Sequence, residues 1–331
     1  MEGFASMPQN EPPVGRLAPS PTGAQHLGNA RTYILAWLSI RSRGGRVVLR
    51  IEDIDSPRVK PWAVQQAIDD LAWLGLDWDE GPDIGGPHPP YIQTQRIDRY
   101  SAILDRLRDQ ELLYPCACTR KDIEEAASAP HEAHDGPVYP DTCAGWRVGD
   151  SLPESGHFCW RFRSRRQRVS FVDRVAGPQS KVPHAELGDF PVTRKTGEAA
   201  YQLAVVADDI AMGITEVCRG DDLLSSTFRQ IDLFDALGHP LPQFVHVPLV
   251  VGSDGRRLAK RHGDTRLSYF RERGARPESI VGWALWSAGL IESWQPIQPQ
   301  EFVESFDLDA LAAGETIVAP EDYEKIIDAS F

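Results

Sequence analysis

The chain has 331 residues, which at about 150 residues per domain allows one large domain with an insertion or two modest domains. Its 41% hydrophobic and 25% charged residues are those of an ordinary globular protein with length enough for a real core. The formal charge of −13 excludes a general nucleic-acid coat, because nonspecific phosphate binding needs a basic surface, but it allows a local basic patch.

No run approaches the ~20 apolar residues of a membrane span. Met1 to Val14 lacks the cationic and apolar regions of a secretory signal, so residues 1–14 are expected to be a disordered leader. Gly15–Leu17 reads as an entry strand before the Pro19/Pro21/Gly23 loop. From Gly28 the pattern turns helical, with Ile34, Leu35 and Leu38 on one face and Gly44-Gly45 as the stop. Val47–Ile51 is a short β-branched strand followed by Glu52, Asp53 and Asp55. Pro61 opens a second helix that turns Ala67, Leu71 and Leu74 inward and stops at Gly75. A Gly/Pro-rich loop (Gly85–Pro90) precedes a third helix carrying Ile97, Leu104 and Leu107. Strand, helix, strand, helix is the rhythm of an α/β parallel sheet.

The rhythm breaks over 114–190. Phe158, Trp160 and Phe162 interleave with Cys159, Arg161 and Arg163, the period-two alternation of a half-buried antiparallel strand, and the segment reads as an insertion. Beyond it, Val205–Ala207 and Glu216–Arg219 resume the α/β pattern and Thr227–Leu237 is amphipathic up to Gly238. Leu249–Gly252 is a strand leading into a Gly/Arg-rich loop, and the remainder looks helical. The expected division is a leader (1–14), two halves of a catalytic domain (15–113 and 191–248), an insertion (114–190) and a helical C-terminal region with its basic loop (249–331).

Three segments bear chemistry. Ala18-Pro-Ser-Pro-Thr-Gly-Ala-Gln-His26-Leu-Gly28-Asn29 lies between a strand and a helix, where unpaired N–H groups and a partial positive charge suit a phosphate. Gly28 lets a ligand approach the backbone, and His26 adds a donor for phosphoryl charge. Arg256-Arg257-Leu258-Ala259-Lys260-Arg261 is either a triphosphate-wrapping loop or a solvated basic one. Cys116-x-Cys118 with Cys143, three of five cysteines, suits a closed tetrahedral zinc site and points to a reducing cytoplasm rather than a disulfide framework. Chemistry alone favours His131 or His134 as the fourth ligand, and buried free thiols without metal are the alternative. Cys159 and Cys218 read as structural. Arg161, Arg163, Arg165, Arg166 and Arg168 form a basic stripe with Trp160 and Phe162 between them, either an RNA-contacting strand or a solvated face.

The His26-x-Gly28 loop and the later Lys260 loop together resemble the class I aminoacyl-tRNA synthetases. Arg16-Leu-Ala-Pro-Ser-Pro-Thr-Gly, Arg50-Ile-Glu-Asp-Ile-Asp55 and Met212-Gly-Ile-Thr-Glu-Val-Cys-Arg219-Gly-Asp-Asp resemble the glutamyl branch, in the right order, from about residue 15 to about 290. The resemblance implies a Rossmann-like sheet split by the insertion, and activation of L-glutamate by ATP with Mg2+. It puts Arg16, Leu17, Ala18, Pro19, Ser20, Glu52, Tyr201 and Arg219 at the glutamate site. His26, Gly28, Asn29, Arg257, Leu258, Ala259, Lys260 and Arg261 fall at the ATP site, with His26 and Lys260 catalytic. The residue types agree: an Arg fork matches a carboxylate, Glu52 can hold an α-ammonium and Tyr201 adds a directional hydroxyl. Ordinary ion pairs with Asp53 or Asp222 are the competing use of the two arginines. Asn29 stands where the family's signature has a second His, and Ala259 where its Lys loop has a hydroxyl.

The resemblance also prefers Tyr139, in Tyr139-x-x-x-Cys143, over histidine as the fourth zinc ligand. The chain ends soon after Trp283-Ala-Leu-Trp286, which leaves no room for a helical anticodon-binding region. With the Cys-x-Cys and Tyr-x-x-x-Cys pattern, this resembles the glutamyl-queuosine tRNA(Asp) synthetases. Members of that family activate glutamate without tRNA and attach it to queuosine at the wobble position of tRNA(Asp). A truncated synthetase charging tRNA(Glu) and a silent regulatory paralogue are the rivals. With no obvious dimerisation element, a cytoplasmic monomer is expected.

Overall fold

The computed structural model describes residues 11–54, 59–126, 137–256, 258 and 264–328. Strand β1 (Val14–Leu17) leads into α1 (Leu27–Arg41), β2 (Arg46–Leu49), α2 (Pro61–Trp73) and α3 (Ile97–Asp109). The expected leader thus gives way to structure before residue 14: Val14 opens β1, and the Pro13 carbonyl accepts from the Arg46 amide at 2.8 Å. Pro61 stands at the first position of α2, where its missing N–H costs nothing, and Gly75 takes the left-handed φ of +82° that ends it. In α3, Leu104 and Leu107 are buried but Ile97 is exposed, because it sits at the helix start and faces solvent.

The inserted lobe follows, with β3 (Leu113–Cys116), α4 (Arg120–Ala126), β4 (Cys159–Phe162), β5 (Val169–Asp173), β6 (Gly177–Lys181), α5 (Pro183–Glu186) and β7 (Phe190–Pro191). Strands β3, β4 and β7 form an antiparallel sheet, and β5–β6 an antiparallel hairpin. The chain then returns through α6 (Tyr201–Ala211), β8 (Glu216–Gly220), α7 (Leu224–Ala236), β9 (Gln243–Val247) and β10 (Val250–Val251). Val205–Ala207 therefore belongs to a helix. The last part holds α8 (Leu267–Glu272), α9 (Pro277–Ser287), α10 (Pro299–Phe302), β11 (Thr316–Ile317) and α11 (Pro320–Asp328), with β11 parallel to β10.

Two parallel pairs, β1–β2 and β8–β9, are linked where the Thr215 amide donates to the Val14 carbonyl at 2.8 Å. Helix α1 lies on this sheet with Ile34, Leu35 and Leu38 in the main core, which α9 completes through Ile280, Val281 and Trp283. A second core joins α3, α6 and the inserted sheet through Leu104, Leu203 and Phe190. Among the described residues no helix is long and apolar enough to cross a membrane.

Candidate active site

The carboxyl ends of β1 and β8 and the start of α1 open into a cleft of about 480 Å³, the usual position for a ligand in an open parallel sheet. Arg16, Ala18, Ser20, Glu52, Tyr201 and Arg219 line it together with His26, Gly28 and Asn29. Leu17 and Pro19 do not. Leu17 is fully buried, its carbonyl accepting from the Arg50 amide, and the Pro19 carbonyl accepts from the Glu52 amide at 3.0 Å. These two residues position the site through backbone rather than touching the cleft.

His26 caps α1 in an extended conformation and forms an antiparallel bridge with Arg266. The Leu27 amide donates to Thr265 and the Leu267 amide to Gln25, so the segment that follows the basic loop is laced to the His26 loop. A Cβ on Gly28 would lie 3.3 Å from the His26 ring, a tight contact, and 3.5 Å from Val250, so glycine lets the ring sit close against the helix start. Arg257, Ala259, Lys260 and Arg261 lie outside the described residues. Leu258, expected near ATP, is only 7% exposed and belongs to the main core.

Charged groups of both signs line the cleft. Arg16 donates to the Cys218 carbonyl at 2.8 Å, with its Nε 3.8 Å from Asp209. Arg219 donates through Nε to His246 at 3.1 Å and through Nη2 to Thr227 at 2.8 Å, while its Nη1 is buried without a hydrogen-bond partner. Glu52 accepts from Arg50 Nη2 at 2.9 Å, and Arg50 Nη1 reaches Asp209 at 2.7 Å. Burial raises the Glu52 carboxyl above its ordinary range against the pull of Arg50 and Arg16, and burial also raises the Tyr201 phenol and lowers Arg219. Asp53 does not compete for Arg16: it accepts from the Thr94 amide at 2.8 Å and hydroxyl at 2.6 Å.

Sequence reading missed the supporting groups. Arg50, Asp208 and Asp209 form a buried network closed by Arg96, Gln93 and Tyr100 on Asp208. Tyr33 lines the cleft and donates to Gln25 at 3.2 Å. An acidic pair inside the apolar run Leu203–Ile210, and His246 inside Phe244–Val247, were the available signals.

In the inserted lobe, the Cys116, Cys118 and Cys143 sulfurs lie within 4.8 Å of one another. The Tyr139 hydroxyl joins them, 3.4 Å from Cys116 Sγ and 3.8 Å from Cys118 Sγ, and accepts from the Cys143 amide at 2.8 Å. His131 and His134 lie outside the described residues. The Arg161 guanidinium lies 3.8 Å over the Tyr139 ring and donates to the Asp189 carbonyl at 2.6 Å.

That placement corrects the reading of the basic stripe. Arg161 is buried, Arg163 donates to the Ala144 and Trp146 carbonyls, and Arg165 pairs with Asp232 and Asp235. Arg161 and Arg163 are taken up by the lobe's own cysteine-bearing loop, which covers the face expected to be solvated, and Arg165 ties the lobe to α7. Arg166 and Arg168 are exposed.

Residues 14–321 match the family model for tRNA synthetases class I (E and Q), catalytic domain. The chain is 58% identical to a glutamyl-Q tRNA(Asp) synthetase of Rhodopirellula baltica, over 84% of this chain and 85% of that one. It is 50% identical to a glutamyl-Q tRNA(Asp) synthetase of Symbiobacterium thermophilum, over 89% and 92% of the two chains. A crystal structure of a glutamate tRNA ligase from Elizabethkingia meningosepticum, in complex with its amino acid, superposes with a TM-score of 0.80 at 27% identity, covering 96% of this chain and 69% of that one.

Proposed function

The chain belongs to the class I tRNA synthetase family of the glutamate and glutamine enzymes, and on that premise we propose that it activates L-glutamate with ATP and passes the glutamyl group to queuosine at the wobble position of tRNA(Asp). Two relatives at 50% identity or more bear the name glutamyl-Q tRNA(Asp) synthetase, which supports this acceptor. Two buried arginines and one buried acid lining the same cleft carry the choice of amino acid. Arg219 Nη1, buried and unpartnered, is a donor suited to an oxygen of the side-chain carboxylate, and Arg16 lines the cleft with it. Glu52 is the partner of the α-ammonium, and Tyr201 supplies a hydroxyl.

The α-carboxylate of glutamate attacks the α-phosphorus of ATP, and the bond to pyrophosphate breaks. His26 and the N-terminus of α1 meet the phosphoryl charge, and Lys260 with Arg257 and Arg261 meets that of the departing pyrophosphate; Mg2+, when bound with ATP, would supply further charge neutralisation there. The acyl group then leaves AMP for the acceptor. Positioning and charge stabilisation supply the acceleration.

Labelled glutamate and ATP are offered to tRNA(Asp) with queuosine, tRNA(Asp) without it, and tRNA(Glu). Label confined to the first, and recovered after nuclease digestion on the queuosine nucleoside and not on the 3′-terminal adenosine, is the expected result. Label on the 3′-terminal adenosine of tRNA(Glu) would make the protein a glutamate–tRNA ligase. No label anywhere, with no glutamate-driven ATP–pyrophosphate exchange, would make it a silent paralogue.

Cys116, Cys118, Tyr139 and Cys143 fit a structural zinc ion: three sulfurs and a phenol oxygen converge, and Arg161 offsets their negative charge. About one zinc per chain is expected in protein prepared without chelator, and Cys118→Ala should release it and lower the melting temperature, since structural zinc binding is coupled to folding. Metal analysis returning no zinc would overturn this assignment.

A further inference from the structure

Behind the cleft, Arg219 is held by groups that do not line it. His246, in β9, is fully buried, with Nδ1 2.6 Å from Asp173 Oδ2 and Nε2 3.1 Å from Arg219 Nε. A carboxylate only accepts, so Nδ1 carries the proton and Nε2 is the bare nitrogen that receives the Arg219 N–H. Thr227 completes the arrangement, its Oγ1 3.1 Å from His246 Nε2 and accepting from Arg219 Nη2 at 2.8 Å. Asp173 is itself immobilised: Oδ1 accepts from the amides of His246, Val175 and Ala176 at 3.1, 3.0 and 2.8 Å. Burial lowers the His246 pKa despite Asp173, and the nearby Arg219 and Arg16 disfavour a further cation, so the ring stays neutral.

We propose that Asp173 and His246 are positioning residues for substrate binding. The Asp173 carboxylate fixes the His246 tautomer, His246 Nε2 fixes the Arg219 fork, and Arg219 Nη1 is thereby aimed at the carboxylate of the bound amino acid. The inserted lobe thus reaches the amino-acid site through the end of β5 without touching substrate. The reverse tautomer would set an N–H of His246 against the N–H of Arg219, and the fork would have to turn. This assignment rests on glutamate being the substrate.

The test compares isosteric variants of the full chain. Asp173→Asn keeps an acceptor for the three amides but offers the imidazole a donor, favouring the wrong tautomer. His246→Asn keeps a group near Nδ1 and removes the acceptor near Nε2, whereas His246→Gln places an amide oxygen near Nε2. Glutamate and ATP KM are read from ATP–pyrophosphate exchange, with direct glutamate binding by calorimetry. A hydrogen bond to a charged group is worth roughly 1.5–3 kcal/mol, which is about 10- to 100-fold. Asp173→Asn and His246→Asn are expected to raise the glutamate KM and Kd by about that factor with the ATP KM within about twofold, and His246→Gln should recover most of the loss. Equal damage from Asn and Gln at 246, a parallel rise in ATP KM, or unchanged glutamate affinity in folded variants would overturn the relay. Failure of the unmodified protein to bind glutamate would instead remove the functional reading, and the relay with it.

Discussion

Glu52 is a buried carboxylate that lines the cleft, and before substrate arrives only partners on its own protein stabilise its charge. Arg50 supplies that partner, yet burial dominates and raises the carboxyl above its ordinary value. An α-ammonium requires the ionised form. Glutamate affinity should therefore weaken as the pH falls toward the raised value, at a pH above the usual carboxylate range. Glu52→Gln should bind glutamate at least about 10-fold more weakly at neutral pH, with the acid limb of the binding curve flattened. An unchanged limb in calorimetric titrations would assign the dependence to another group. Gly28 sets a limit of a different kind. The methyl group of Gly28→Ala would stand 3.3 Å from the His26 ring and move it by a few tenths of an ångström, so exchange should fall by about 10-fold at most if His26 meets the phosphoryl charge as proposed. Glutamate affinity should survive, because Arg16, Glu52 and Arg219 stand elsewhere on the cleft wall.

Elements were legible where one periodicity and one stop signal coincide. Helix α7 ends at Gly238, which takes a φ of +67°, as the amphipathic run before it requires. The fold class followed from strand and helix alternating up to β3. Strand β4 was legible as an antiparallel strand, but not the company its polar face keeps: alternation reports that two faces differ and says nothing of what covers them. Arg161, Arg163 and Arg165 read as a solvated or RNA-facing stripe, and the lobe's own carbonyls take up the first two while acids of α7 take up the third. The five arginines should consequently separate into two groups. Arg166→Glu with Arg168→Glu, both exposed, should weaken transfer to tRNA and reduce its salt dependence while leaving ATP–pyrophosphate exchange intact. Arg165→Ala should instead lower stability, since Asp232 stays buried without its guanidinium. Filter binding across a salt series and thermal melts distinguish the two. Equal salt slopes for the double variant and the unmodified protein would remove Arg166 and Arg168 from the RNA surface.

At the scale of the whole molecule, the site rests on charges paired across long stretches of chain, and this was the part least open to sequence reading. Arg50 and Asp209 are 159 residues apart and lie at the ends of β2 and α6. Local spacing cannot announce such a pair, whereas Arg16, Glu52 and Arg219 sit in segments distinctive enough to be read directly. Arg50 is completely buried between Glu52 and Asp209, so removing it while both acids remain leaves the two carboxylates with Arg16 as their nearby cation. Breaking a buried pair from one side typically costs about 3–5 kcal/mol, and Arg50→Met should lose about that much in urea unfolding at pH 7. The pH dependence has a definite sign. Without the guanidinium, burial and the neighbouring Asp209 outweigh the pull of Arg16 and raise the Glu52 carboxyl further above its unfolded value. A raised acid stabilises the fold below its unfolded pKa and loses that contribution as pH rises through the folded one. The deficit of Arg50→Met should therefore be largest at pH 7 and shrink toward pH 5, with glutamate affinity lost at both. A deficit that stays the same from pH 7 to pH 5 would show that Arg50 serves the fold through packing, with the charge of Glu52 maintained by Arg16 alone.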